Sequence, residues 1–225
     1  MKKLLAAGTL ILAMAIGTSA FAQEVAVGTA PPDAAGTYKP FVVGAYMGMG
    51  MAHSIGDNGD AKPRFAGEGG AYFSWYFMEI LAAEGGISFV GKGARIDEEV
   101  AGVEIKARTK ITYLEVPLGL KLNIKNFRAG VYVAIEGAIA GKTKVKEPDE
   151  DSDTWSGHDW DNTRRFNIAP KITLGYAIPV GPIAIVPGLS WSMHLLNDYD
   201  GPGDDAVRAM NLMFTAAVEF GFGSK

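Results

Sequence analysis

Hydrophobic and polar residues alternate along much of the chain, most regularly in the range 111–144. This stretch contains two runs joined by a short connection at Lys125-Asn126. A period of two residues predicts β-strands, because successive side chains of a strand point to opposite sides. Both runs are longer than an ordinary soluble strand and long enough for a tilted crossing of a bilayer. In the second run, alternation places Lys142 on the polar face together with Arg128 and Glu136.

The same alternation continues over most of the chain and predicts eight strands after Pro40. Their expected ranges are 41–51, 65–77, 80–92, 111–124, 127–142, 166–178, 183–195 and 210–222. The connections after the second, fourth and sixth strands are very short. The other connections are long, with expected ranges of 52–64, 93–104, 143–165 and 197–207. Short turns on one side and long loops on the other are typical of an outer-membrane barrel with both termini in the periplasm. We therefore predict an all-β fold, an eight-stranded antiparallel up-and-down transmembrane β-barrel.

Alternation alone does not decide which face of the barrel is outside, since a soluble eight-stranded barrel has its apolar face inside. The polar face contains many glycines, among them Gly44, Gly70 and Gly130, which would make room for large side chains in a narrow lumen. The aromatic residues of the apolar face cluster near the strand ends, as expected of girdles at two membrane interfaces. These residues are Phe41, Phe65, Trp75, Phe77, Phe89, Phe127, Phe166, Tyr176, Trp191, Phe220 and Phe222. We therefore expect the apolar face to contact outer-membrane lipid.

The first residues of the chain have the pattern of an export signal. Basic residues precede an apolar segment, and Ala20-Phe21-Ala22 fits the small-x-small rule for cleavage. The export signal predicts a location in the cell outer membrane for a barrel of this kind. The expected division is a signal peptide at 1–22, a flexible periplasmic lead-in at 23–39 and the outer-membrane barrel domain at 40–222.

The composition is that of a folded protein, with 48% hydrophobic and 20% charged residues. The formal net charge of −4 gives no electrostatic reason to expect nucleic acid as a partner. The sequence has no cysteine, which excludes disulfides, thiol catalysis and thiolate metal sites. We expect no cofactor, no metal and a monomeric barrel.

Nine charged residues fall on the polar face and would point into the lumen. They are Glu68, Glu84, Lys92, Glu115, Lys121, Arg128, Glu136, Lys171 and Glu219. Such a set is consistent with acid–base chemistry or with an ion path. An eight-stranded barrel, however, has only enough interior for its own side chains, and charges buried there must pair. We favour a structural salt-bridge network over a conducting path.

Three polar residues near the end of the seventh strand raise the question of catalysis. His194 shares the lumen face with Ser190 and Ser192, the residue types that a Ser–His hydrolase uses. A lipid-modifying enzyme needs its catalytic groups where acyl chains can reach them, whereas these three residues point inward. We therefore expect no enzymatic activity. His53 and His158 fall in predicted loops, where the simplest interpretation is a solvated side chain.

The longest predicted loop is strongly acidic and contains two tryptophans. Asp149, Asp151 and Asp153 have the alternating spacing of calcium ligands, but the glycine and distal glutamate of an EF-hand loop are absent. A solvated acidic loop is the favoured interpretation. Trp155 and Trp160 would either form a recognition surface or pack against the barrel rim, and the sequence leaves both interpretations open.

One motif resembles a known family. The run Tyr113-Leu114-Glu115-Val116-Pro117-Leu118-Gly119-Leu120-Lys121 resembles the YLEIPLLLK signature of PorT-like, or porin-family, outer-membrane β-barrel proteins. The spacing of Glu84 and Lys92-Gly93 is also similar to the third strand of that family. The resemblance implies a small outer-membrane barrel and no catalytic residues. The chain departs from typical barrels at its end, where Gly223-Ser224-Lys225 follows the aromatic Phe222.

Together these features predict an integral outer-membrane barrel with a structural or interaction role. Its long loops would bind an extracellular or envelope protein partner, or support a larger envelope or secretion assembly. A narrow channel for ions or small solutes is the first alternative, because the predicted lumen is charged. A lipid-modifying outer-membrane enzyme is the second and less favoured alternative.

Overall fold

The computed structural model describes residues 39–56, 61–100, 103–146, 156–157, 160, 163–198 and 207–223. Within these ranges the chain forms twelve β-strands. They are β1 (Phe41–Gly56), β2 (Ala61–Lys62), β3 (Arg64–Tyr76), β4 (Leu81–Lys92), β5 (Arg95–Val100), β6 (Val103–Ile124), β7 (Phe127–Lys146), β8 (Ser156–Gly157), β9 (Phe166–Tyr176), β10 (Ile178–Val180), β11 (Ile183–Met193) and β12 (Val207–Phe222). No helix in the described part of the chain has the length and apolar character needed to cross a membrane.

Eight of these strands form the wall of a closed barrel. In order around the wall they are β1, β3, β4, β6, β7, β9, β11 and β12, and each pairs antiparallel with the next. Strand β12 also pairs with β1, from Phe222 opposite Phe41 to Val207 opposite Gly56, and this pairing closes the sheet. The predicted eight-stranded antiparallel barrel is confirmed.

The strand bounds differ from the predicted ones mainly at the long-loop end of the barrel. Strand β6 has 22 residues and β7 has 20, so both continue beyond the expected ends. The prediction of a loop at 93–104 is wrong, because β5 pairs there with the extended β6. The first residues of the predicted loop 143–165 belong to β7, and β1 extends into the predicted loop 52–64. Each extended segment forms backbone hydrogen bonds with a neighbouring strand. Polar side chains do not prevent this pairing, because the backbone makes the bonds.

A β-bulge in the pairing of β6 with β7 changes which residues face outward. Tyr113 lies opposite Ala138, whereas the preceding Thr112 lies opposite Ala140, so β7 contains one extra residue at Ile139. Beyond the bulge, Lys142 pairs with Lys110, which is on the outward face of β6, and both side chains are exposed. The prediction that Lys142 points into the lumen is therefore wrong, because an inserted residue reverses the alternation beyond it.

The interior of the barrel is polar and its outer surface is apolar. Glu115, Glu136 and Asn167 are completely buried, whereas Val131 and Val133 on the outside of β7 are 64% and 55% exposed. This is the reverse of a soluble protein, in which apolar side chains fill the core. It matches a wall whose outward side meets lipid.

Candidate functional site

The nine predicted lumen charges all lie inside the barrel. Eight of them are buried, and the side chain of the ninth, Glu84, is only 9% exposed. They form three layers along the barrel axis, and each layer contains one lysine that lies over a tyrosine ring. Layer one is nearest the short turns, layer two is in the middle and layer three is nearest the long loops.

Layer one is centred on Lys121 of β6. Its ammonium group lies 3.0 Å from Glu84 Oε2 and also forms an ion pair with Glu219 Oε1. The Tyr72 hydroxyl donates to Glu219 at 2.8 Å, and the Tyr72 ring centre lies 4.7 Å from the Lys121 nitrogen. Arg128 approaches the second oxygen of Glu219 at 3.8 Å. Two cations therefore face two carboxylates, and the formal charge of this layer is balanced.

Layer two is centred on Lys171 of β9. Its ammonium group lies 2.8 Å from Glu115 Oε1 and 3.2 Å from Glu68 Oε2. The Ser88 hydroxyl also donates to Glu115 Oε1, and the Tyr46 ring lies beside the ammonium group. In this layer a single cation forms ion pairs with two buried carboxylates. Removing that cation would leave both carboxylates uncompensated, which is the costly way to break a buried ion pair.

Layer three is at the mouth of the barrel on the long-loop side. Lys92 donates to Glu136 Oε1 at 2.7 Å, and His194 Nε2 lies 2.7 Å from Glu136 Oε2. The other ring nitrogen of His194 contacts Asp198, and the Tyr113 ring packs edge-on against the imidazole at 5.1 Å. Asp198 thereby ties the segment after β11 to the lumen.

The ion pairs cross the lumen rather than follow its wall. Around the eight wall strands, β6 is the fourth and β12 is the eighth, so Lys121 and Glu219 are on opposite sides of the barrel. Strands β3 and β9 are the second and the sixth, so Glu68 and Lys171 are opposite as well. These charged groups therefore meet near the barrel axis and occupy its centre.

Glycines on the lumen side make space for the tyrosines of the network. A Cβ on Gly44 would lie 2.3 Å from the Tyr72 ring, and a Cβ on Gly130 would lie 2.2 Å from the Tyr132 hydroxyl. Real Cβ contacts are never this short, so the large tyrosines fit only because these neighbours lack side chains. Tyr132 uses the space to donate to Glu84 at 2.7 Å.

A cavity of about 90 Å³ lies between layers one and two. Charged side chains, among them Glu68, Lys121 and Arg128, reach it, and it is large enough for several water molecules. Three atoms of its lining residues have no hydrogen-bond partner within the described part of the chain: Glu68 Oε1, Glu219 Oε2 and Arg128 Nε. Buried polar atoms need partners, so we expect ordered water in this cavity. No cluster of three or more potential metal ligands is found among the described residues.

The Ser–His combination that the sequence analysis considered and did not favour does not assemble. Both ring nitrogens of His194 contact carboxylates, those of Glu136 and Asp198. Ser190 and Ser192 are buried on β11, but neither is the partner of the imidazole. Sequence alternation had identified the charged residues of the lumen but not the tyrosines that bind them. These tyrosines could have been identified from the sequence, because they alternate onto the same polar face as the charged residues.

The predicted girdle residues lie on the outside of the barrel. Phe41, Trp191, Phe220 and Phe222 are half-buried, and the exposed members of the set are Phe65, Trp75, Phe77, Phe89, Phe127, Phe166 and Tyr176. Phe41 stacks on Phe222 at 5.6 Å across the seam between β1 and β12. Two aromatic residues outside the predicted set, Phe73 and Phe214, are also exposed on this surface.

The predicted loop residues are only partly within the described ranges. Trp160 is described, and its ring lies 5.1 Å from the guanidinium of Arg165, just before β9. Trp155, His158 and the three alternating aspartates 149, 151 and 153 lie outside the described residues. The prediction that His53 is in a loop is wrong, because it lies in β1 opposite Met210.

Comparison with solved structures finds barrels of the outer membrane. Ail, the attachment invasion locus protein of Yersinia pestis, has 14% sequence identity and a TM-score of 0.43, over 80% of this chain and 98% of that chain. Neisserial surface protein A has 11% identity and a TM-score of 0.39, over 81% and 97%. The outer membrane protease OmpT from Escherichia coli has 13% identity and a TM-score of 0.39, over 81% and 97%.

No functionally curated protein matches the sequence. A family described as "Outer membrane protein beta-barrel domain" does match, over residues 21–195. This range covers more than half of the chain and all of the wall strands except β12. Together with the closed eight-stranded wall, its apolar exterior and its charged interior, the match shows that the chain belongs to this family of outer-membrane β-barrel proteins.

Proposed function

We propose that this protein is a closed outer-membrane scaffold that presents its extracellular loops to a protein partner. Family membership supports a location in the outer membrane. The proposal rests on two ion pairs that cross the lumen, Lys121 with Glu219 and Lys171 with Glu68. Side chains joined across the barrel axis stiffen the wall and fill the space that a solute would need.

The loops supply the recognition chemistry in this proposal. The segment 147–161 is rich in Asp and Glu and contains Trp155 and Trp160. Aromatic side chains are enriched at protein interfaces, and a carboxylate-rich surface favours a basic partner. We infer a partner with a basic surface and an apolar pocket. The resemblance to PorT-like barrels favours a partner that belongs to an envelope or secretion assembly.

A loop deletion tests the proposed partner. Outer membranes that contain the wild-type protein, or a variant lacking 147–161, are treated with a cross-linker and the barrel is purified. We expect the deletion variant to fold, because layers one to three are intact, and to lose the cross-linked partner. A variant lacking 199–206 serves as the control for loop shortening. Equal recovery of the partner with all three proteins would contradict the proposal.

The channel is the competing function, and the cavity between layers one and two is the observation in its favour. Planar-bilayer recordings separate the two functions. The scaffold proposal predicts no discrete conductance for the wild-type protein. Replacing the charges that cross the lumen in layer one, in the variant Lys121→Ser/Glu219→Ser, would widen the central space. Discrete openings of the wild-type protein would contradict a closed lumen, whereas openings confined to the variant would support it.

A further inference from the structure

The cavity between layers one and two is surrounded by more negative than positive groups. Six charged residues line it, and Glu115 pairs with one of them. Together these three cations and four carboxylates are Lys121, Arg128, Lys171, Glu68, Glu84, Glu115 and Glu219. Layer one is balanced, so the excess negative charge belongs to layer two, where Lys171 faces both Glu68 and Glu115. A charge buried in this way needs a counter-charge.

Lys171 cannot supply the missing compensation. An ammonium group has three N–H donors, and those of Lys171 have three acceptors: Glu115 Oε1 at 2.8 Å, Glu68 Oε2 at 3.2 Å and the Tyr46 hydroxyl at 3.3 Å. The other carboxylate oxygens, Glu68 Oε1 and Glu115 Oε2, have no hydrogen-bond partner within the described ranges. The side chain of Glu68 is only 2% exposed, and that of Glu115 is completely buried.

Ordered water satisfies the other unpartnered atoms of the cavity but leaves the excess charge in place. Arg128 Nε and Glu219 Oε2 are a donor and an acceptor 3.8 Å apart, so one bridging water molecule satisfies both. A water molecule can also donate to Glu68 Oε1. Water is neutral, however, so the negative charge of layer two remains uncompensated.

The space beside Glu68 is lined by oxygen atoms that suit a small cation. By strand register, Glu68 lies opposite Gly48, and Gly48 lies opposite Thr215. A Cβ on Gly48 would lie 3.0 Å from both Glu68 Cγ and Thr215 Cγ2, so these side chains flank the gap that the glycine leaves. The cavity is also lined by Thr173 and Ser190, which carry hydroxyl groups. Carboxylate, hydroxyl and water oxygens are the ligands that hard cations prefer.

We propose that this cavity is a binding site for a single monovalent cation of the size of sodium. Glu68 Oε1 would bind the ion, and the Thr215 hydroxyl and cavity water would complete its coordination. A monovalent ion removes the excess charge, whereas a divalent ion would overcompensate it. The cavity volume of about 90 Å³ accommodates the ion with a few water molecules. Such a site needs no cluster of three acidic or histidine side chains, and the described residues contain none.

A proton on Glu68 is the alternative way to remove the charge. A proton needs no space of its own, whereas here the unpartnered oxygen of Glu68 borders a cavity that extends to hydroxyl-bearing residues of β9, β11 and β12. The cavity and its lining therefore favour the ion, and the experiments below distinguish the two occupants.

Equilibrium dialysis with radioactive sodium tests the site directly. The full-length protein, refolded in neutral detergent micelles, is dialysed at constant ionic strength, with N-methylglucamine as the replacement cation because it is too large for the cavity. We expect the wild type to bind a single sodium ion per barrel and Glu68→Gln to bind none. Thr215→Val, which keeps every charge, should bind several-fold more weakly. Glu136→Gln removes a carboxylate of layer three outside the cavity and should bind like the wild type.

Thermal unfolding in the same buffers is the second measurement. An ion that binds only the folded protein stabilises it, so the wild-type melting temperature should rise as sodium replaces N-methylglucamine. That of Glu68→Gln should not change. In sodium-free buffer Glu68→Gln should be at least as stable as the wild type, because the excess charge is gone. If Glu68 acted only as the partner of Lys171, the variant would be less stable in every buffer.

Equal sodium binding by the wild type and Glu68→Gln would overturn the proposal. So would a wild-type melting temperature that does not respond to sodium at any pH, and this result would assign the excess charge to a proton bound in layer two. Neither measurement involves a protein partner or a conductance, so the outcome is independent of the proposed scaffold function.

Discussion

Lys171 of β9 reaches Glu68 on the opposite side of the barrel, with 3.2 Å between Nζ and Oε2, while it also binds Glu115 at 2.8 Å. All three side chains are buried. One ammonium group thus joins three wall strands through the centre of the lumen. The stability of the barrel depends on such charges being kept together, because a single buried charge has no water to solvate it.

Replacing this cation should be strongly destabilising. In the variant Lys171→Met, the apolar volume remains but Glu68 and Glu115 lose their counter-charge. We expect a loss of about 3–5 kcal/mol in the free energy of unfolding, measured by urea titration of the protein in lipid vesicles. Lys142→Met, on the outside of β7, is the matched control and should have little effect. Equal unfolding midpoints for the two variants would show that layer two does not stabilise the barrel.

Gly44 should tolerate no side chain. In Gly44→Ala the new methyl group would overlap the Tyr72 ring, whose hydroxyl donates to Glu219. Overpacking of this kind costs about 1–3 kcal/mol, and it should appear as a lower temperature for the heat-induced mobility shift on gels. Gly137→Ala is the control, because nothing lies within 4 Å of its new Cβ. An unchanged shift temperature for Gly44→Ala would mean that the Tyr72 ring moves without cost.

The outward face can be tested by charge substitution at two depths. Val133 lies midway along the apolar side of β7, whereas Phe65 is at the long-loop end of β3. Val133→Arg should destabilise the protein by about 2–4 kcal/mol in bilayers, and Phe65→Arg by about 0–1 kcal/mol. Reversible unfolding from lipid vesicles measures both. If Val133→Arg destabilises the protein no more than Phe65→Arg does, the outer surface of β7 does not lie in the middle of the lipid bilayer.

His194 should make the mouth of the barrel more stable at mildly acidic pH. It lies one residue beyond β11, faces Glu136, Asp198 and Lys92, and packs against Tyr113. Burial lowers the pKa of His194, but the hydrogen bonds to Asp198 and Glu136 outweigh burial and raise it overall. A histidine whose pKa is raised in the folded state stabilises that state below its unfolded pKa, near 6.5. This stabilisation is lost as the pH rises through the folded pKa.

Thermal unfolding measured from pH 5 to pH 9 checks this prediction. The wild-type melting temperature should fall as the pH rises above about 6.5, and His194→Gln should flatten that dependence. His53→Gln, which removes the histidine of β1, should leave the dependence in place. A profile that is identical for the wild type and His194→Gln would assign the pH dependence to other groups.

Much of this structure follows from the alternation of side chains. The apolar residues from Leu114 to Leu122 and the lumen charges Glu115 and Lys121 could be assigned to opposite faces without coordinates, because strand geometry fixes that alternation. The assignment failed beyond Ile139, where the bulge reverses the faces and turns Lys142 outward. A single inserted residue leaves no clear sign in an alternating sequence of small residues such as Ala138 and Ala140.

The sequence by itself determined the number of wall strands, their antiparallel order and the faces of most residues, since these depend on local periodicity and on connection length. Only the tertiary structure decided which charges meet. Glu68 and Lys171 are 103 positions apart, and their contact depends on the stagger of strands around the closed wall. The same closure and one bulge bring Arg108, Lys110, Lys142 and Lys144 together on the outside. Strand register is a collective property of the whole sheet, so no single strand contains that information.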